Sequence, residues 1–220
     1  MKLITFQSME ALKVLVNQGY LFADKEYIDV NRYGIVYDWI TQKMNEQIPN
    51  IYGAAYPIWC WVKFKNGICP PKHKGEPVKG FDVKITFHKN QQDVFVTDYR
   101  RYSFLLNNVY IPESTADLVA FEQELERCQI TKEDLAAFMR TNDMEYSKLI
   151  GISEKVRESF DRCITSESDV LQGCIWKLDL KDVEKIEILH DDGYRYGSFN
   201  YVRRDGKRFD WIEDYYRMLK

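Results

Sequence analysis

Two glutamines and one run of aromatic residues are the positions in this 220-residue chain whose types and spacing suit the handling of a ring-bearing ligand. Gln7 ends a short strand-like stretch, and Gln172 begins another, four residues before Trp176. Between them, Tyr56-Pro57-Ile58-Trp59-Cys60-Trp61 packs Tyr56, Trp59 and Trp61 into six positions. Strand residues two apart share a face, so Tyr56, Ile58 and Cys60 are expected on one side and Trp59 and Trp61 on the other. If one side is core, the other is an aromatic wall fit to stack a nicotinamide or a base. The alternative is that helices cover both sides.

Other chemistries find weaker support. Cys69 and His73 stand at C-x3-H spacing, with His88 further on, but no second ligand pair completes a four-ligand zinc site, so no metal is expected. Five cysteines and three histidines leave a Cys-dependent hydrolase open, although no cysteine sits in a local catalytic signature. Cys60 and Cys174 lie in apolar runs that predict buried, inert thiols. The chain lacks GxGxxG, GxxxxGK[ST], HExxH and GxSxG. The acidic clusters at Glu167/Asp169 and Asp191/Asp192 read as turns rather than as paired acid and base. Residues 194–208 carry five basic residues, one acid and four aromatics. There Arg195, Arg203 and Arg204, interleaved with Tyr and Phe, suit a nucleic-acid acceptor, and a solvated hairpin is the alternative.

The elements that must position these residues follow from the periodicity. Ser8 as N-cap, apolar residues at helical spacing and Gly19 as stop predict a strand over 2–7 and a helix after it. A second helix is expected over 37–44 and a strand over 56–64. Residues 68–80, with three prolines and three lysines, read as a loop. Alternation over 81–88 and 93–97 predicts two strands, and 98–107 turns helical. Ser114, Thr131 and Ser153 are each expected to open a helix. Strands return at 171–178, 183–189, 194–202 and 207–211, with Asp192-Gly193 and Asp205-Gly206 as hairpin turns. This order predicts one α+β domain, with mixed or antiparallel sheets flanked by short helices. Its body spans 1–190, and residues 191–220 form a C-terminal hairpin and helix extension packed on it.

Composition sets the outer bounds. Hydrophobic residues make up 45% and charged residues 30%, values of a folded chain rather than a disordered one. The formal net charge of −3 excludes a globally basic nucleic-acid coat but leaves room for a local basic patch. No apolar run spans a bilayer and no signal-peptide core opens the chain, so a cytoplasmic protein with reduced thiols is expected.

Long segments carry a resemblance. ITFQS at 4–8, GYLFAD at 19–24, YDWITQKM at 37–44, YPIWCW at 56–61, residues 85–108, ESFDRC at 158–163 and residues 171–188 resemble, in order, a bacterial family known only as domain of unknown function family 3841. More remotely, the layout is similar to that of ADP-ribosyltransferases, including the DNA-modifying toxin branch. That resemblance implies NAD as substrate. It places Thr5 and Gln7 on an NAD-contacting first strand, and Tyr56, Trp59 and Trp61 beside the nicotinamide. Gln172 takes the catalytic position on the ribose, and Asp98 and Tyr99 shape the acceptor side. It also implies a nucleic-acid or protein acceptor and a toxin or phage-defence role with an antitoxin partner. The chain departs from that fold's pattern in two places. Its first-strand residue is usually Arg or His and its last is usually Glu. A glutamine in the last position hydrogen-bonds but accepts no proton as a base. The competing reading is a non-catalytic module that binds nucleic acid or protein.

Overall fold

The computed structural model describes residues 1–23, 25–27, 30–65, 67–68, 82–141, 147–189 and 195–200. Its first elements follow the capping logic of the sequence. Strand β1 (Lys2–Gln7) runs into helix α1 (Met9–Gln18), where the Ser8 hydroxyl accepts from the Ala11 amide at 3.1 Å. Gly19, at φ +80°, ends that helix in the left-handed region that glycine enters without penalty. Strand β2 (Tyr20–Leu21) and helix α2 (Val30–Gln47) follow, the helix being longer than the aromatic stretch at 37–44 predicts. Next come β3 (Ile58–Phe64), β4 (Val83–His88), β5 (Phe95–Asp98) and helix α3 (Tyr99–Leu106).

Three helices make up the middle of the chain: α4 (Thr115–Cys128), α5 (Lys132–Thr141) and α6 (Ser147–Ser159). Ser114 caps α4, and Thr131 with Asp134 closes a reciprocal capping box at α5. Ser153 departs from its expected role. It is buried inside α6, and its hydroxyl donates to the Ile150 carbonyl at 2.7 Å instead of capping a helix. Strands β6 (Val170–Ile175), β7 (Leu178–Asp179), β8 (Val183–Leu189) and β9 (Arg195–Asn200) complete the described elements.

The described strands form a seven-stranded sheet, ordered β5-β6-β3-β1-β4-β8-β9, and a separate β2-β7 pair. Every described pairing is antiparallel. The architecture is α+β, with β9 from the C-terminal extension as an edge strand of the main sheet. On one sheet face, Leu12 and Leu15 of α1 pack against Leu3, Ile85, Phe87 and Ile175. On the other, Ile40 and Met44 of α2 meet Phe95 and Cys174, and α3 joins α4–α6 around Phe121, Met139, Val156 and Phe160. Among the described residues no helix is long and apolar enough to cross a membrane.

Candidate functional site

Register decides which of the expected site residues meet. Trp61 is paired with Gln172 across β3 and β6, and Gln172 with Thr97 across β6 and β5. Residues directly opposite in an antiparallel ladder share a face, so Trp61, Gln172 and Thr97 stand in a row. Trp59, two residues before Trp61, lies on that face with Cys174 and Phe95. A bulge after Trp61 shifts the alternation, which brings Phe64 to the same side, 6.1 Å from the Trp61 ring.

Helix α3 lies across this row. Tyr99 and Tyr102 are three apart on the helix and so project from one side of it. Tyr99 packs on Trp61 at 4.8 Å between ring centroids, and Tyr102 packs on Trp59 at 4.6 Å. Tyr99 is 40% exposed and forms the rim, while Tyr102 is buried. Tyr37 of α2 extends the aromatic group, 6.3 Å from Trp59 and 5.2 Å from Tyr56. Burial pushes the Tyr37 hydroxyl pKa up, against the pull of the Trp59 side chain hydrogen-bonded to it. Tyr56 thus joins the Trp59 group through Tyr37. It precedes β3, so strand alternation does not set its direction, and it does not follow Ile58 and Cys60 into the α1-covered core. The expectation of Trp59 and Trp61 on one face and Ile58 and Cys60 on the other holds.

Three polar side-chain atoms in this region are buried without a hydrogen-bond partner: Thr97 Oγ1, Gln172 Nε2 and Tyr102 OH. Their residues are 0%, 7% and 3% exposed. A buried polar group without a partner costs about 1–3 kcal/mol, so three such groups within one strand row and the helix above it single this region out as the candidate site.

Thr5 and Gln7 are elsewhere. Ile4, not Thr5, is paired with Trp61, so alternation places Thr5 and Gln7 on the α1 side of the sheet. There the Thr5 hydroxyl donates to the Trp59 carbonyl at 2.7 Å and accepts from the Gln7 side-chain amide at 2.8 Å. The pair links β1 to β3 and leaves the Gln172 row to other residues. Asp98 is also committed: its carboxylate caps α3, accepting from the Arg100 and Arg101 amides at 2.7 and 3.1 Å. Arg195 lies on β9, next to β8 at the far edge of the sheet from Gln172, and its side chain lies outside the described residues, as do Arg203 and Arg204. Cys69 and His73 also lie outside them; His88 pairs with Glu184 at 2.6 Å. Sequence reasoning missed Thr97, Tyr102 and Tyr37. The alternation of β5 and the three-residue spacing from Tyr99 hold the signal for the first two.

The thiols argue against cysteine chemistry at this site. Burial pushes Cys60 and Cys163 up to about 12 and Cys174 well above its ordinary value, so all three are protonated at neutral pH. A surface depression of about 390 Å³ between α4 and α6 is lined by Tyr110, Phe121, Lys155 and Arg162. Its cations are occupied: Arg162 by Glu113, Asp117 and the Ile111 carbonyl, and Lys155 by Glu124.

No curated protein and no solved structure matches this chain. Residues 2–184 match the family model described as a domain of unknown function, DUF3841, and the chain belongs to that family.

Proposed function

We propose that this chain is an ADP-ribosyltransferase-like protein that takes NAD at the Gln172 face of the sheet and serves a nucleic-acid or protein acceptor. The observation that carries the reading is the buried, unpartnered Gln172 amide in one row with Thr97 and the Trp61–Tyr99 ring pair. Donors beside aromatic faces suit a ligand with both sugar hydroxyls and planar rings. NAD supplies a ribosyl–nicotinamide bond whose cleavage transfers ADP-ribose to an acceptor and releases nicotinamide. Gln172 orients the ribose by hydrogen bonding, Trp59 and Trp61 flank the ring, and Tyr37 with Tyr56 backs Trp59. Thr5 and Gln7 contribute by holding β1 against β3, not by touching the ligand. The test is nicotinamide release from NAD, with and without RNA, DNA or cell lysate. Release that depends on one acceptor class and is lost in Gln172→Ala supports the reading; full activity in that variant sinks it.

A second reading has its own observation. The ladder partners of Gln172 are Trp61 and Thr97, neither a carboxylate, and Asp98 is held as a helix cap. A site without a free carboxylate beside its glutamine suits a module that binds a nucleotide or RNA and leaves it intact. NAD binding without nicotinamide release in the presence of every acceptor class supports this alternative.

A further inference from the structure

The β2–β7 pair carries a second group of rings and charges, which shares no residue with the Gln172 face. Tyr20 is paired with Asp179 across it, so ring and carboxylate stand side by side. Phe22 packs on Tyr20 at 5.3 Å between ring centroids and on Tyr52 at 6.1 Å, which makes a cup of three rings. The Lys177 ammonium lies over two of them, 4.9 Å from the Tyr20 centroid and 5.3 Å from that of Tyr52, and 2.7 Å from Asp179 Oδ1. Ring faces joined to a carboxylate are a setting that attracts an ammonium ion.

The cup does not depend on Lys177 for its shape. Asn50 ties down the loop that presents Tyr52: its side-chain amide donates to the Ala54 carbonyl at 2.7 Å, and its Oδ1 accepts from the Ala54 amide at 3.1 Å. Burial pushes the Asp179 pKa up, but the hydrogen bond from Lys177 and then the charge of Lys89 outweigh this and hold it below the ordinary value. Lys89, 3.4 Å from Asp179 Oδ2, keeps that carboxylate partnered whether or not Lys177 stays. The cup is open to solvent, since Tyr20 and Tyr52 are exposed and Ile51, next to Tyr52, is 79% exposed.

We propose that this cup is a binding site for a primary alkylammonium group from outside the chain, and that Lys177 is its resident stand-in. One cation replaces another, so the charge on Asp179 stays balanced. The displaced Lys177 stem regains its rotamers, and its ammonium returns to water. The Asp179 contact selects an ammonium with an N–H to donate, which a quaternary ammonium lacks. A free amine and a partner's lysine side chain share this chemistry. The inference does not rest on the NAD reading.

NMR titration of the 15N-labelled whole chain with n-butylammonium, N-acetyl-lysine methylamide and tetramethylammonium, at matched ionic strength, tests this. A primary ammonium should shift the Tyr20, Tyr52 and Lys177 amide signals saturably and bind about 3- to 10-fold more tightly than tetramethylammonium. Lys177→Ala empties the cup and should tighten that binding about tenfold. Lys177→Met, which keeps the apolar stem, serves the same purpose if Lys177→Ala fails to fold. Tyr52→Ala should weaken binding about 2- to 5-fold in either background. Tighter binding of the lysine mimic than of n-butylammonium, lost in Ile51→Ala, supports a partner's lysine as the source, and equal binding supports a free amine. No saturable shift with either primary ammonium, equal binding of tetramethylammonium, or no gain in affinity when Lys177 is removed overturns the inference and leaves Lys177 a structural residue.

Discussion

The two faces of the main sheet are built from the same strands and differ in how their polar groups end. On the α1 side, Leu3, Ile85 and Phe87 are fully buried, and the two polar residues of β1, Thr5 and Gln7, hydrogen-bond to one another and to the Trp59 carbonyl. On the α3 side, Thr97, Gln172 and Tyr102 are just as buried and leave atoms unpaired beneath a half-exposed ring. A face that satisfies its own polar atoms contributes stability. A buried donor left without a partner instead carries its desolvation cost, about 1–3 kcal/mol, without a compensating bond.

The largest expected effect that sharpens this contrast is a truncation on the closed side. Phe87→Ala should cost about 3–5 kcal/mol, read by urea denaturation, because the cavity has no exposed edge into which to collapse. A cost below about 1 kcal/mol would mean that this side is less tightly packed than its burial implies.

Gly173→Ala comes next. A methyl there meets Val94 Cγ1 at 2.8 Å, Val62 Cγ2 at 3.0 Å and Cys60 Sγ at 3.3 Å, all on the α1 side. Overpacking of that kind costs about 1–3 kcal/mol, and it also displaces the neighbouring Gln172.

The matched pair Thr5→Val and Thr97→Val tests the comparison most directly. Thr5→Val strands the Trp59 carbonyl and the Gln7 amide and should cost about 1–2 kcal/mol. The same change at Thr97 removes an unpaired hydroxyl and should cost nothing or stabilise, so equal losses in chemical denaturation would erase the difference between the faces.

The smallest effect concerns acid. Glu187 is buried, which pushes its pKa up, but Lys84 at 3.0 Å and then Lys185 at 3.3 Å outweigh this and hold it below the ordinary glutamate value. Its folded pKa is depressed, so the stabilisation it gives is present above the unfolded pKa and is lost as pH falls through the folded one. Glu187→Gln should therefore flatten the loss of stability below about pH 4, and an unchanged acid limb would show that the pair contributes nothing.

Much of the fold was legible in the chain. Ser8, Ser114 and Thr131 announced their helices because capping is a contact within three residues, and Gly19 ended α1 because its backbone needs a positive φ. Alternation at Val83, Ile85 and Phe87 marked β4, since a half-buried strand writes its two faces in turn. Ser153 misled because a serine inside a helix and one at its start carry the same local signal, and burial alone separates them.

The site divides along the same line. The sequence by itself determined that Trp59 and Trp61 share a face opposite Ile58 and Cys60, that Asp98 stands where α3 begins, and that Gln172 lies in a strand. Each of these depends on neighbours a few residues away. Tertiary structure alone decided that Gln172 stands between Trp61 and Thr97, that α3 folds Tyr102 onto Trp59, and that Thr5 and Gln7 lie on the other face. Those facts depend on the pairing and packing of segments far apart in the chain, and a shift of one residue in strand register exchanges the faces of the sheet.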